Sequence, residues 1–117
     1  MNLLSDTVYL YRHPTDMRKQ IDGLVSIVAS QMQLDPMSCA SFVFISRGGD
    51  KIKIIRYETN GFWLLYKRLI RQRFKWPKRW FTDDVLQLDV DSFVFLLQGC
   101  DLNGLQKFHE FKPQYAC

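Results

Sequence analysis

The chain has 117 residues, 47% of them hydrophobic, which is enough for one continuous core in a single domain spanning 1–117. Its net charge is +4, residues 1–6 show neither the basic cluster nor the apolar stretch of a secretory leader, and no apolar run approaches the length that spans a bilayer, so a cytoplasmic protein without membrane association is expected. Cys39, Cys100 and Cys117 lack any C-x-x-C spacing and His13 lies far from His109, which argues against a disulfide framework and a zinc knuckle, so no metal or cofactor is expected.

Residues 8–12 form a β-rich run that ends at His13-Pro14, because proline disfavours helix in the residue before it. Thr15 then stands as a candidate N-cap with Asp16 in the first turn. Met17, Ile21, Leu24, Val25, Val28 and Met32 follow at spacings of three and four, predicting an amphipathic helix over 16–32. Arg18 and Asp22 on its outer row are placed for an i,i+4 pair, and Gly23 inside it predicts a close contact with a neighbouring strand.

After Asp35-Pro36, residues 42–45 are an apolar run of strand length, and Arg47-Gly48-Gly49-Asp50 supplies a turn. Residues 51–57 begin with cations and apolar residues alternating, so Ile52 and Ile54 are expected inward and Lys51 and Lys53 outward. Ile55 breaks that alternation and calls for a bulge or for cover on both faces. Glu58-Thr59-Asn60-Gly61 leads into a strand over 62–67, completing an antiparallel meander. Trp63 and Leu65 then need cover, either from a helix over 92–98, capped by Asp91 and stopped near Gly99, or from a second subunit. Residues 69–76 fit helix or strand until Pro77 ends them, and a tail over 102–117 is expected to lie loosely on the surface. The fold class is α+β: an antiparallel β-meander sheet, an amphipathic helix after the first strand packed on it, and a short C-terminal helix.

Charge is unevenly spread. Residues 1–50 carry four basic and five acidic side chains, residues 51–79 ten against the single acid Glu58, and residues 80–117 two against six. In the middle block Lys67, Arg68, Arg71, Arg73, Lys75, Lys78 and Arg79 are interleaved with Tyr66, Phe74, Trp76 and Trp80. Cations there would displace counterions from a phosphate backbone, and exposed rings would stack on unpaired bases. The candidate DNA contacts are therefore these seven cations with Lys51, Lys53 and Trp76. A solvated charged face with Phe74 and Trp76 turned into the core accounts for the same residues, as does docking onto acidic protein.

Nothing points to catalysis. Strand transfer by two metal ions needs three converging carboxylates, one of them on the first strand of a ribonuclease-H-like sheet, and the first strand here has none. Asp16, Asp50, Glu58, Asp83, Asp84, Asp89 and Asp91 are better read as caps and turns. The Arg47-Gly48-Gly49-Asp50 run lacks the glycine spacing and the Lys-Ser/Thr of a phosphate-gripping loop.

One ordered set of motifs carries a resemblance: Pro14-Thr15-Asp16-Met17-Arg18-Lys19, Asp22-Gly23-Leu24, Asp35-Pro36, Phe42-Val43-Phe44, Gly49-Asp50-Lys51-Ile52-Lys53, Gly61-Phe62, Tyr66-Lys67-Arg68-Leu69, Arg73-Phe74-Lys75-Trp76-Pro77 and Leu96-Leu97-Gln98-Gly99-Cys100-Asp101. Over most of its length the chain resembles the TnpB accessory proteins of insertion sequence 66 type elements, which are unrelated to the larger RNA-guided nuclease of the same name. The resemblance implies a bacterial, non-catalytic protein that assists DNA transposition beside a separately encoded transposase and binds DNA, with element ends as the candidate target. The alternative is an adaptor that binds the transposase without touching DNA. Pro14, Thr15, Asp16, Met17, Arg18 and Lys19 are the family-motif residues placed for contact with DNA or transposase, and a homo-oligomer is a further expected partner.

Overall fold

The computed structural model describes residues 7–104; the expectations for residues 1–6, for His109, Cys117 and the tail beyond Gly104 lie outside these. In chain order the elements are β1 (Val8–Tyr11), α1 (Ile21–Ser30), β2 (Ser41–Ile45), β3 (Lys51–Glu58), β4 (Gly61–Arg68), a single 3-10 turn (Lys78–Trp80), β5 (Val85–Leu88) and α2 (Val90–Leu97). The strands form one mixed sheet in the order β4-β3-β2-β1-β5. The meander of β2, β3 and β4 is antiparallel as expected. β1 joins it parallel to β2, and the return this requires runs through α1. β5 pairs antiparallel with the free side of β1. Sequence patterning missed β5, because a four-residue edge strand between turn residues has almost no periodicity to read.

Each face of the sheet has its own cover. On one, Leu24, Val28 and Met32 of the α1 region pack on Tyr11, Phe42, Phe44 and Ile55. On the other, Phe93 and Leu96 of α2, together with Phe74, Trp76, Trp80 and Phe81, pack on Val8, Leu10, Val43, Ile45, Ile52 and Ile54. Every residue of β2 is consequently buried, which is why its sequence is apolar on both faces. Ile55 needs no bulge: the register of β3 runs unbroken against both neighbours, and Ile55 meets the α1 layer while Ile54 meets the α2 layer. Leu65 gains its cover from the α2 side, whereas Trp63 stays 52% exposed, its indole N–H donating to Glu58 Oε1 at 3.0 Å.

Several expectations need correction. The first helix begins at Ile21 with Gln20 as N-cap. Thr15 is instead buried ahead of it, its N–H donating to the Ile45 carbonyl at 2.7 Å. The reason lies in Lys53, which does not face outward. It is 6% exposed, and its ammonium donates to the carbonyls of Met17 and Lys19 at 2.8 Å each. Those carbonyls are thereby held for a side chain across the fold. Arg18 pairs with Asp16 rather than Asp22, at 2.7 Å. The close contact at Gly23 is with Lys19 rather than a strand: a Cβ there would meet Lys19 Cβ at 3.2 Å. The second helix is capped by Asp89, which accepts from Ser92 N at 3.1 Å, while Asp91 is buried. The packed body includes Leu102, which is fully buried, and Asn103, whose amide donates to the Trp76 carbonyl at 3.0 Å.

Candidate nucleic-acid interface

The segment between β4 and the 3-10 turn is neither helix nor strand. It is an extended strap tied to the turn between β2 and β3 by two backbone bonds, Leu69 N to the Asp50 carbonyl (2.8 Å) and Phe74 N to the Gly49 carbonyl (2.7 Å). Gly49 has φ +80°, a conformation that disfavours any side chain, and the Arg73 stem passes 3.7 Å from where its Cβ would lie. The strap is anchored by its rings. Phe74, Trp76 and Trp80 are each at most 6% exposed. With alternate residues sunk in the core, Arg73, Lys75, Lys78 and Arg79 are turned to solvent, and Arg68 and Arg71 are exposed just before them. Trp76 is therefore placed in the core; among the described residues the exposed Trp, Tyr and Phe rings are Trp63 and Tyr66 on β4.

The candidate cations fall into four groups. Arg68, Arg71, Arg73 and Lys78 have no carboxylate partner among the described residues. Lys75 and Arg79 lie near Asp101, whose carboxyl is held below the usual range, chiefly by hydrogen bonds from Asn103 and less by these two charges. Lys51 and Lys67 are partly engaged, Lys51 with Asp50 at 3.2 Å and Lys67 with the Leu97 carbonyl at 2.8 Å, where it also meets the negative end of α2. Lys53 is interior.

Folding brings the family-motif segment to the same end of the molecule. Pro14, Thr15, Asp16 and Met17 lie against Ser46, Arg47 and Lys51 around a cleft of about 390 Å³. On the other side of Ser46 and Arg47 is a second cleft of about 450 Å³, walled by Phe74 and Trp76 and edged by Arg12, Arg47, Arg73, Lys75 and Lys78. Arg12 and Arg47 were not singled out by the sequence: one ends a strand, the other opens a turn, and neither lies in the basic block.

The acids are dispersed and locally occupied. Asp16, Asp35, Asp83 and Asp101 each accept the backbone N–H two residues on, from Arg18, Met37, Val85 and Asn103 at 2.9 to 3.0 Å, the geometry of turn-forming aspartates. Arg18 also holds the Asp16 carboxyl well below the ordinary carboxylate range, first through its side-chain hydrogen bonds and then through its backbone N–H. Asp84 pairs with His13 at 2.7 Å. Among the described residues no group of three His, Cys, Asp or Glu side chains converges, and no helix is long and apolar enough to cross a membrane.

A family model described as IS66 Orf2 like protein matches residues 6–107. Two relatives from Sinorhizobium fredii (strain NBRC 101917 / NGR234), named Uncharacterized protein y4hO and Uncharacterized protein y4jC, are 32% and 31% identical over 94 residues. The alignments cover 80% of this chain in both cases, and 80% and 79% of the relatives. No solved structure matches.

Proposed function

The chain belongs to the IS66 Orf2-like family, which ties it to transposition of insertion sequences, and we propose that it acts there in the cytoplasm as a non-catalytic accessory protein that grips DNA. The grip is electrostatic, through Arg68, Arg71, Arg73, Lys75, Lys78 and Arg79, with Lys51 and Lys67 at its border. One observation carries this reading. The strap spends its rings on the core and so holds its cations outward, on a backbone pinned to the turn between β2 and β3 rather than on a free loop. Pre-placed cations lose less conformational freedom on meeting a phosphate backbone than cations on a disordered tail. Without exposed rings on the strap, the contact is to phosphates and is tolerant of sequence unless base edges are read elsewhere.

The test is a fluorescence-anisotropy titration of the purified protein against element-end and scrambled duplexes at several salt concentrations. Affinity that falls steeply with salt supports the reading, and preference for the element end adds targeting to it. A folded protein that binds no DNA at low salt overturns it and leaves an adaptor for the separately encoded transposase, in which the same cations meet acidic protein.

A further inference from the structure

One recess in the basic surface differs from the rest in its chemistry. Arg12 just after β1, Arg47 from the turn after β2, Arg73 and Lys75 from the strap and Lys78 at the start of the 3-10 turn line the 450 Å³ cleft, and no carboxylate is among its lining residues. These cations come from three separate stretches of chain, so their convergence is a product of folding and not of a local run. The strap's position against the turn is set by the Phe74 N to Gly49 carbonyl bond, and Asn103 closes one side by its bond to the Trp76 carbonyl. In the wall, Trp76 is 6% exposed and its indole N–H has no acceptor among the described residues.

Resting on the DNA-binding reading, we propose that this cleft seats the terminal phosphate of a DNA strand, while Arg68 and Arg71 outside it hold the backbone. Two arguments favour an end over an internal linkage. A recess of this size suits a small group such as one nucleotide, whereas the side of a duplex is a broad convex surface that meets exposed cations first. An internal phosphodiester brings one negative charge, while a terminal monoester brings close to two and an additional acceptor oxygen, so five cations lining one recess, with Asp101 near Lys75 but outside the lining, discriminate in favour of the end.

The experiment compares one oligonucleotide duplex with a short single-stranded overhang in three forms: 5′-phosphorylated, 3′-phosphorylated and unphosphorylated. Binding is measured by anisotropy for the wild type, for Arg12→Gln/Arg47→Gln and for Arg68→Gln/Arg71→Gln, with inorganic phosphate as competitor. All four positions are exposed, and circular dichroism checks that each variant folds. The wild type is expected to prefer one phosphorylated end by about tenfold, the terminal phosphate and its position being the only differences between the probes. Arg12→Gln/Arg47→Gln is expected to erase that preference while keeping affinity for the unphosphorylated duplex. Arg68→Gln/Arg71→Gln is expected to weaken all three probes alike. Millimolar inorganic phosphate is expected to remove the preference; phosphate that instead weakens all three probes alike would mark an adventitious ion only and overturn the proposal. DNA binding with no preference for either phosphorylated end, or a preference that survives Arg12→Gln/Arg47→Gln, also overturns it and leaves the accessory DNA-binding reading standing. Failure to bind any of the three probes removes both.

Discussion

Two stretches of this chain carry the same alternation and meet opposite fates. Lys51-Ile52-Lys53-Ile54 in β3 and Arg73-Phe74-Lys75-Trp76 in the strap both set a cation beside an apolar residue twice over. In the strap only one side is covered, so Phe74 and Trp76 are buried and Arg73 and Lys75 are exposed. In β3 both sides are covered, so Lys53 is buried with the isoleucines and spends its ammonium on two carbonyls of the segment before α1. Alternation tells which side chains share a face. It does not tell whether the other face is covered, and that distinction separates the buried Lys53 from the solvent-facing Lys75.

The contrast is broken most sharply at the rings. Trp76→Ala is expected to cost about 3–5 kcal/mol, read as a lowered denaturant midpoint, because the buried ring is what fixes the strap. Should stability hold while DNA binding vanishes, Trp76 touches the ligand and its placement in the core is wrong. Lys53→Ala comes next. Removing a charged donor from two carbonyls is expected to cost about 2–3 kcal/mol and to leave the salt dependence of DNA binding by the folded protein unchanged. A change in that salt dependence would put Lys53 among the DNA contacts after all.

The strap cations should behave in the opposite way. The Arg71→Ala/Arg73→Ala/Lys75→Ala variant is expected to shift stability by no more than about 0.5 kcal/mol per site, and to lessen the slope of log affinity against log salt by roughly 3. Gly23→Ala is expected to gain less than the roughly 1 kcal/mol of helix propensity, since a methyl would meet Lys19 Cβ at 3.2 Å, next to a backbone carbonyl that Lys53 holds; a midpoint raised by the full amount would show that this segment shifts freely.

The smallest effect concerns acid. Because Arg18 depresses the Asp16 carboxyl in the folded state, its contribution to stability is complete above the unfolded carboxylate value of about 4 and is lost as pH falls through the lower folded value. Asp16→Asn should therefore lower neutral stability by that contribution, which is small because the pair is exposed, and flatten the acid limb of stability against pH. An unaltered acid limb would mean that this exposed pair is screened to nothing.

Much of the fold was legible. Glycine turns bounded the strands of the meander, and the three-and-four spacing of Leu24, Val25 and Val28 marked α1 correctly. The start of α1 was misread because Thr15 and Asp16 have the composition of a helix cap and Met17 continues the period. What holds them off the helix is Lys53, 34 to 36 residues later. For the candidate interface, the run of cations at 67–79 was visible from charge alone. Arg12 and Arg47 were not, since isolated arginines at a strand end and in a turn look like any others.

By itself the sequence determined the α+β class, the antiparallel meander, the helix after the first strand and the family, because these rest on local periodicity, turn chemistry and an ordered series of short motifs. Only the tertiary structure decided the parallel pairing of β1 with β2, the burial of Lys53 and Trp76, and the gathering of Arg12, Arg47, Arg73, Lys75 and Lys78 around one cleft. Each of these depends on which layer covers which face, a property of contacts between residues far apart in the chain.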